Sequence, residues 1–191
     1  MGVRGPIQPR VLPHRKRPRT LVSMLAPALV PEPLWGLSAA RKLTRGQWQS
    51  IRTAQLSSSH STCLHCGLRQ EKGLVCHEVW DYDDATGEAT LKGFQIACRD
   101  CTGVHHIGRA GALGFREQAL AHMAIVNGMS VDEAERLADS AYVLWRSRSA
   151  RSWICRVNKT LLEEHPELVI IEGLSGSPGD GRLRLDRGEI R

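Results

Sequence analysis

Apolar residues recur at helical spacing through the second half of the chain. Between positions 111 and 165 they return every three or four residues, which predicts amphipathic helices. Asn127-Gly128 is a typical helix end, because glycine readily adopts the left-handed conformation found there. The stretch Ser130 to Glu133 has the pattern of a capping box, which predicts the start of a second helix. A third, shorter element of this helical region is expected around Trp153 to Leu162. One face of the second helix is apolar and consists of Val131, Ala134, Leu137, Ala138, Ala141, Leu144 and Trp145.

The middle of the chain has the pattern of a β-hairpin. Leu74 to Tyr82 and Ala89 to Ile96 are predicted strands, and they flank the turn-forming stretch Asp83 to Gly87. The glycine is suited to the positive φ that tight hairpin turns require. Further upstream, the spacing of large apolar residues predicts a short helix around Gln47 to Gln55, ended by the serines at 57–59.

These elements divide the chain into five stretches. Residues 1–31 form a basic arm rich in proline and arginine, which is expected to be disordered because it cannot bury apolar surface. Residues 32–60 form a short helical lead-in, and residues 62–110 carry the hairpin and most cysteines. Residues 111–165 are the helical region, and residues 173–191 are expected to be a disordered tail.

The overall composition is that of a soluble globular protein of 191 residues, with 41% hydrophobic and 24% charged residues. We find no apolar stretch long enough to span a membrane and no signal peptide, so the cytoplasm is the expected location. The net charge of +6 equals the charge of residues 1–20, which contain six basic residues and no acid. Arg15, Lys16 and Arg17 lie in this arm and are candidates for salt-sensitive contacts with nucleic-acid phosphates. A solvated tail is the alternative.

Four cysteines have the spacing of a zinc site. Cys63 and Cys66 form one Cys-x2-Cys pair, and Cys98 and Cys101 form another. Each pair presents two thiolates from one tight turn, and two such turns side by side complete a tetrahedral site. Two disulfides are the structural rival, but a cytosolic chain keeps its thiols reduced. Four thiolates leave no open coordination position for water, so we expect the zinc to be structural.

The other two cysteines stand apart from these pairs. Cys76 lies beside His77 on the first predicted strand and is an alternative ligand, whereas Cys155 is expected to be a small buried hydrophobic residue.

Polar residues with catalytic chemistry surround the cysteine pairs. The first strand contains the sequence His-Glu-Val-Trp-Asp-Tyr-Asp, beginning at His77, and Cys98 opens the sequence Cys-x2-Cys-x4-His-Ile-Gly-Arg. From Leu34 to Leu161 the chain therefore resembles the HNH (His-Me finger) nuclease superfamily, and in particular an uncharacterised bacterial and phage group of zinc-ribbon proteins within it. This resemblance implies an α+β fold in which a zinc-ribbon ββα unit packs against a small helical C-terminal part.

The resemblance also implies a function and roles for individual residues. The chain is expected to be a metal-dependent DNA endonuclease or a degenerate descendant of one, using Mg²⁺ or Mn²⁺ at a second site. His77 matches the general base on the strand, and His106, with His105 nearby, matches a metal ligand. Asp81 or Glu78 would supply an oxygen ligand, and strand alternation favours Asp81 because it shares a face with His77.

Two positions depart from the family pattern. Thr102 follows the last cysteine where the family has histidine, and Gly93 stands where an asparagine normally braces the loop. Arg109 is a candidate phosphate contact, as are three arginines near the end of the second helix, which equally suit a helix C-terminus. These are Arg146, Arg148 and Arg151.

Two other functions fit the same residues. One is a non-catalytic zinc-ribbon module that binds nucleic acid through the basic arm and the arginines. The other is a protein-interaction role in which the zinc only holds the fold. In both, His77 is an outer partner of the zinc site or a strand residue that faces solvent, and His105 and His106 are surface or capping residues. Trp80 and Tyr82 then pack on the helices rather than stack on bases.

Overall fold

The computed structural model describes residues 24–181. Within this range there are seven α-helices, four β-strands and two short 3₁₀ turns at Glu32–Leu34 and Pro166–Ile170. In chain order the helices and strands are α1 (Ala39–Lys42), α2 (Arg45–Ser58), β1 (Val75–Asp83), β2 (Glu88–Ala97), α3 (Arg99–His105), α4 (Ile107–Ala112), α5 (Arg116–Asn127), α6 (Val131–Ser149), β3 (Trp153–Val157), α7 (Lys159–Glu164) and β4 (Ser175–Gly176).

The four strands form one mixed sheet, so the fold class is α+β as predicted. Its order is β1-β2-β3-β4, which places β1 at an edge. Strands β1 and β2 are antiparallel, β3 runs parallel to β2, and β4 runs antiparallel to β3. The register of the hairpin shifts between Val79 and Trp80, because Val79 pairs with Gly93 whereas Trp80 pairs with Leu91. The extra residue is Lys92, so the bulge lies in β2, the inner strand of the hairpin.

The predicted hairpin is confirmed, and its turn shows why the local sequence favours it. The Asp83 carboxylate accepts hydrogen bonds from the backbone N–H groups of Ala85 (2.8 Å) and Thr86 (3.2 Å). Gly87 closes the turn with φ of 73°, a conformation that strongly favours glycine. Directly after β2, the chain turns into α3, so the order of elements here is strand, strand, helix.

The two longer C-terminal helices are also confirmed. Helix α5 ends at Gly128, which has φ of 69° in the left-handed region. Helix α6 begins with the predicted capping box: the Ser130 side chain accepts from the Glu133 N–H, and the Glu133 carboxylate accepts from the Ser130 N–H. The predicted apolar face is only partly buried, since Ala134 and Ala138 are covered whereas Val131 and Leu144 are exposed.

Two hydrophobic clusters form the interior. The first lies between the hairpin end and helices α3 to α6, and it includes the cysteine pairs and Met123. The second lies beneath β2 and β3 and includes Leu91, Trp153 and Ile51. The half-buried Trp48 packs against both clusters, so the lead-in helix α2 connects them.

Three stretches differ from the sequence predictions. Residues 153–157 form strand β3 rather than part of a helical region, and the alternate burial of its side chains follows the two-residue period of a strand. Within the predicted tail, residues 175–176 form β4 and pair with β3. At the end of the predicted arm, Leu25 is fully buried and exchanges hydrogen bonds with the Asn127 side chain. Residues 1–23 and 182–191 lie outside the described range.

None of the helices between residues 24 and 181 is long and apolar enough to cross a bilayer.

Candidate functional site

The four paired cysteines meet where the hairpin joins α3. Cys63 and Cys66 lie in the loop before β1, where the Cys63 N–H donates to the Leu68 carbonyl (2.8 Å) and the Gly67 N–H donates to the Cys63 carbonyl (3.0 Å). Gly67 has φ of 71°, which this tight turn requires. Cys98 is the residue before α3, and Cys101 lies in its first turn.

This cluster has the size and donor set of a zinc-type metal site. All four sulfur atoms lie within 4.8 Å of one another, and the Sγ atoms of Cys66 and Cys98 are 3.6 Å apart. Sulfurs bound tetrahedrally at about 2.3 Å from an ion lie roughly 3.8 Å from each other, so the observed spacing fits an ion at the centre. In the part of the chain that the structure describes, every cysteine is a free thiol rather than half of a disulfide.

Neighbouring side chains hold the cluster in place. His122 on α5 has its Nε2 atom 3.2 Å from the Cys101 sulfur, the position of an outer partner that orients a metal-binding thiolate. The hydroxyl of Thr102 donates to the Cys98 carbonyl at 2.8 Å. In the sequence, His122 belongs only to the helical pattern of α5, and its contact depends on how α5 packs on α3.

Cys76 and Cys155 stand outside this cluster. Burial raises the pKa of each thiol to about 11, and neither sulfur belongs to the group of four that lie within 4.8 Å of one another.

A second cluster, made of four histidines, lies beside the cysteines. The Nε2 atoms of His65 and His105 are 3.0 Å apart, and Gln95 Nε2 lies 3.4 Å from the same atom of His105. The His77 ring is 5.2 Å from the His105 ring and 5.2 Å from the His106 ring, measured between centroids. The hairpin, the first cysteine loop and the end of α3 thus bring together imidazoles that are up to 41 positions apart in sequence.

Burial favours the neutral form of His77, His105 and His106. His65 and His105 are only 3% and 5% exposed. Burial, followed by the nearby His106 and His65, lowers the pKa of His77 to about 4, and burial followed by His65 lowers the pKa of His105 to about 3. His106 is more exposed, but partial desolvation and the neighbouring Arg109 also lower its pKa. Neutral imidazoles are the form that accepts protons and binds metal ions.

The hydrogen bonds of Thr102 determine which nitrogen of His77 carries the proton. The single hydroxyl proton of Thr102 goes to the Cys98 carbonyl, so its oxygen can only accept from His77 Nε2, 2.9 Å away. His77 is therefore protonated on Nε2, and its Nδ1 atom carries the free lone pair.

The histidines line one end of a cavity of about 500 Å³ along edge strand β1. The segment Pro27 to Val30 forms part of its wall, and the Ala28 N–H donates to the His105 carbonyl at 3.0 Å. Its polar lining includes Cys76, His77, Glu78, Gln95, His105 and His106.

Of the three residues predicted for catalysis, the structure brings two together. His77 and His106 share the cavity, whereas Asp81 is exposed and is not part of its lining. The carboxylate that lines the cavity belongs to Glu78, which alternates along β1 with Trp80 and Tyr82 of the same lining. Among the described residues, only the cysteine cluster brings three or more potential ligand atoms within 4.8 Å of one another.

Burial raises the pKa of Glu78, and its carboxylate is held by two donors. Trp80 Nε1 donates to Oε2 at 2.8 Å, and the Ala40 N–H donates to Oε1 at 3.3 Å.

Only some of the basic residues predicted to contact phosphate lie within the described range. Arg109 is exposed near His106, but Arg15, Lys16 and Arg17 lie outside the described residues. Arg148 instead forms an ion pair with the Asp84 carboxylate (2.7 Å), so this cation is already neutralised.

Sequence reasoning missed the roles of His65 and Gln95. His65 is one of the two variable residues inside the first Cys-x2-Cys pair, and Gln95 is one of several polar residues on β2. Neither position carries a signal in the sequence pattern, because their contacts with His105 exist only after the hairpin and α3 have packed.

No protein-family model, curated protein or solved structure matches this chain.

Proposed function

We propose that this chain is a zinc-stabilised, HNH-like endonuclease that hydrolyses DNA phosphodiester bonds with the help of a divalent metal ion. The observation that carries the proposal is the pairing of His77 and His106 across 5.2 Å, in a cavity beside the cysteine cluster. One histidine comes from the first strand of the hairpin and the other directly follows α3, which is the arrangement that the resemblance to HNH nucleases implies.

In this proposal the four cysteines hold a structural Zn²⁺. Their thiolates fill all four positions of a tetrahedral ion, so no water can be activated there. The ion joins the loop before β1 to the start of α3, and its binding free energy contributes to folding. Its role is to fix the distance between the strand that carries His77 and the helix that precedes His106.

His106 and Glu78 are the residues of this chain suited to hold the catalytic Mg²⁺ or Mn²⁺. Both line the cavity, and Glu78 takes the place that the sequence assigned to Asp81. Mg²⁺ commonly binds proteins through one or two side chains and completes its shell with water and substrate phosphate oxygens. When bound, such an ion stabilises the negative charge that develops on the phosphate and the leaving oxygen.

His77 is suited to act as the general base. Its Nε2–H is fixed by Thr102, and its Nδ1 lone pair accepts a proton from water. The water oxygen forms a bond to phosphorus while the bond from phosphorus to the leaving sugar oxygen breaks. A second water molecule supplies the proton that the leaving oxygen takes up.

The test is cleavage of supercoiled plasmid by the purified chain with Mg²⁺ or Mn²⁺. We expect nicking by the wild type and a reduction of at least about 100-fold in the His77→Ala variant, the usual contribution of a positioned base. His60→Asn is the matched control, because His60 is an exposed histidine outside the cavity, and it should cleave at the wild-type rate.

Two results would refute the catalytic role. Equal nicking by the wild type and His77→Ala would identify a contaminating nuclease, and no nicking with either ion would exclude the activity. Retained DNA binding without cleavage would instead support a non-catalytic nucleic-acid module, and loss of both would support a protein-interaction role.

Thr102→His adds a second test of the same geometry. This variant restores the histidine that the resemblance expects after the last cysteine, next to His77. We expect it to tighten Mn²⁺ binding at least tenfold, measured by calorimetry on zinc-loaded protein. An unchanged Mn²⁺ affinity would contradict a metal site at this place.

A further inference from the structure

The cavity that contains His77 extends well beyond the histidines. At its other end the wall is formed by four aromatic side chains, and with a volume of about 500 Å³ it falls in the size range of small-molecule sites. These aromatic residues are Trp48, Trp80, Tyr82 and Trp145. The proposed reaction at His77 does not use them.

Two of the indole N–H groups in this wall donate to the protein itself. Trp80 Nε1 donates to Glu78, and Trp145 Nε1 donates to the Val30 carbonyl at 3.0 Å. Because their polar atoms are already bonded, these side chains can offer a ligand only their apolar ring surfaces. Ring surfaces of this kind bind planar aromatic groups by stacking.

The cavity lining also contains polar side chains. His105 is 95% buried, since only 5% of it is exposed, and its Nδ1 atom is the one buried side-chain nitrogen or oxygen without a hydrogen-bond partner among the described residues. Gln95 lines the same space and has an amide that both donates and accepts. Buried polar atoms without partners are rare, and each calls for an explanation such as a catalytic role or a bound water or ion.

The charges in the cavity argue against an anionic group at the aromatic end. Arg148 is the arginine of the lining, and it is engaged by the Asp84 carboxylate on one side and lies 4.7 Å from the centre of the Tyr82 ring. The Glu78 carboxyl group also lines this space. A neutral, planar molecule with polar edges therefore fits better than a phosphate or a carboxylate.

We infer that the aromatic end of this cavity binds a nucleobase, and that the substrate is accordingly a single-stranded nucleic acid or a strand with an unpaired base. The identity of the polymer rests on the proposed nuclease function, whereas base binding does not. A base that stacks here cannot remain inside a duplex, because both faces of a paired base are covered by its neighbours. Stacking on aromatic side chains is a general means of binding single strands.

The test measures binding without cleavage. A 12-mer containing 2-aminopurine is titrated with zinc-loaded protein in the absence of Mg²⁺ and Mn²⁺, and the emission of 2-aminopurine reports stacking directly. The same oligonucleotide in a blunt duplex and 2-aminopurine riboside monophosphate are titrated in parallel. Because no catalytic ion is present, a failed nuclease assay leaves this measurement unaffected.

We expect the emission of 2-aminopurine in the single strand to be quenched on binding. The single strand should bind at least tenfold more tightly than the duplex. Trp145→Leu should weaken binding about tenfold or more, in line with the loss of one base stack. Trp35→Leu is the matched control, because Trp35 stacks on Trp145 and donates to the same Val30 carbonyl but does not line the cavity. It should change the affinity by less than twofold.

Trp80 provides a second, independent variant. Trp80→Leu should also weaken binding, and Trp80→Phe should restore most of the affinity because it keeps an aromatic ring. Equal affinity for single strand and duplex, or unchanged affinity in both leucine variants, would overturn the inference. Equal affinity for the monophosphate and the oligonucleotide would support base binding but would refute a nucleic-acid strand as the source of the base.

Discussion

Because His77 and His105 are buried as neutral imidazoles, we expect this protein to lose stability between pH 7 and pH 5. In the folded state the pKa of His77 is about 4 and that of His105 about 3, mainly because both rings are buried. In the unfolded chain both titrate near the ordinary value of about 6.5. The unfolded state therefore binds more protons than the folded state at every pH between these limits, and the free energy of unfolding falls as the pH is lowered.

The size of the effect follows from the same pKa values. A histidine with a folded pKa of 3 to 4 and an unfolded pKa near 6.5 loses about 2 kcal/mol of stability between pH 7 and pH 5. The two residues together thus predict a loss of about 4 kcal/mol, which is a large part of the stability of a typical domain. Most of this contribution is intact at pH 7 and disappears as the pH approaches 4.

The assay is urea unfolding of zinc-loaded protein, followed by tryptophan fluorescence at pH 7, 6 and 5. His77→Gln and His105→Gln should each reduce the slope of stability against pH by about 1 kcal/mol per pH unit, because each variant lacks one histidine that takes up a proton on unfolding. Acid also promotes metal release from thiolates, but this acts equally on wild type and variants and cancels in the comparison. His60→Asn, an exposed control, should keep the wild-type slope.

The reasoning would be refuted if both glutamine variants kept the wild-type slope. That result would mean that His77 and His105 are protonated in the folded protein, as a solvated cluster would be.

Three further perturbations test other parts of the fold. Asn127→Ala should lower the free energy of unfolding by about 2 to 3 kcal/mol, because it removes both hydrogen bonds to Leu25. Hydrogen exchange at the Leu25 amide should become faster, and an unchanged rate would contradict the role of these hydrogen bonds. Gly176→Ala should lower the free energy of unfolding by about 1 to 3 kcal/mol, because the new Cβ would meet the Pro33 carbonyl. The control Gly46→Ala has open space within α2 and should stabilise the protein. Equal effects of the two variants would contradict the close packing of β4. A strong chelator should remove one zinc per chain and lower the melting temperature, and an unchanged temperature would exclude a structural ion.

The sequence by itself determined the features that depend on neighbouring residues. Two Cys-x2-Cys pairs separated by a hairpin must meet when that hairpin forms, because its two ends come together. The Asp83 side chain and Gly87 specify the turn locally, and the Ser130 capping box fixes the start of α6 in the same way. These contacts span a few residues, so the order of the amino acids is sufficient to predict them.

The tertiary structure decided the composition of the site. His65 and His105 are 40 positions apart, and their contact requires the cysteine loop and α3 to pack together. Strand alternation predicted that Asp81 would join His77, but the segments that pack around β1 leave Asp81 exposed and Glu78 in the cavity.

The same limit applies to strand β3. Five residues with alternate burial are too few to distinguish from a short helix by sequence, and their partner in β2 lies more than 60 positions away. Local sequence specified the turns, caps and cysteine knuckles of this protein, whereas its cavity depends on contacts between distant segments that have no local pattern.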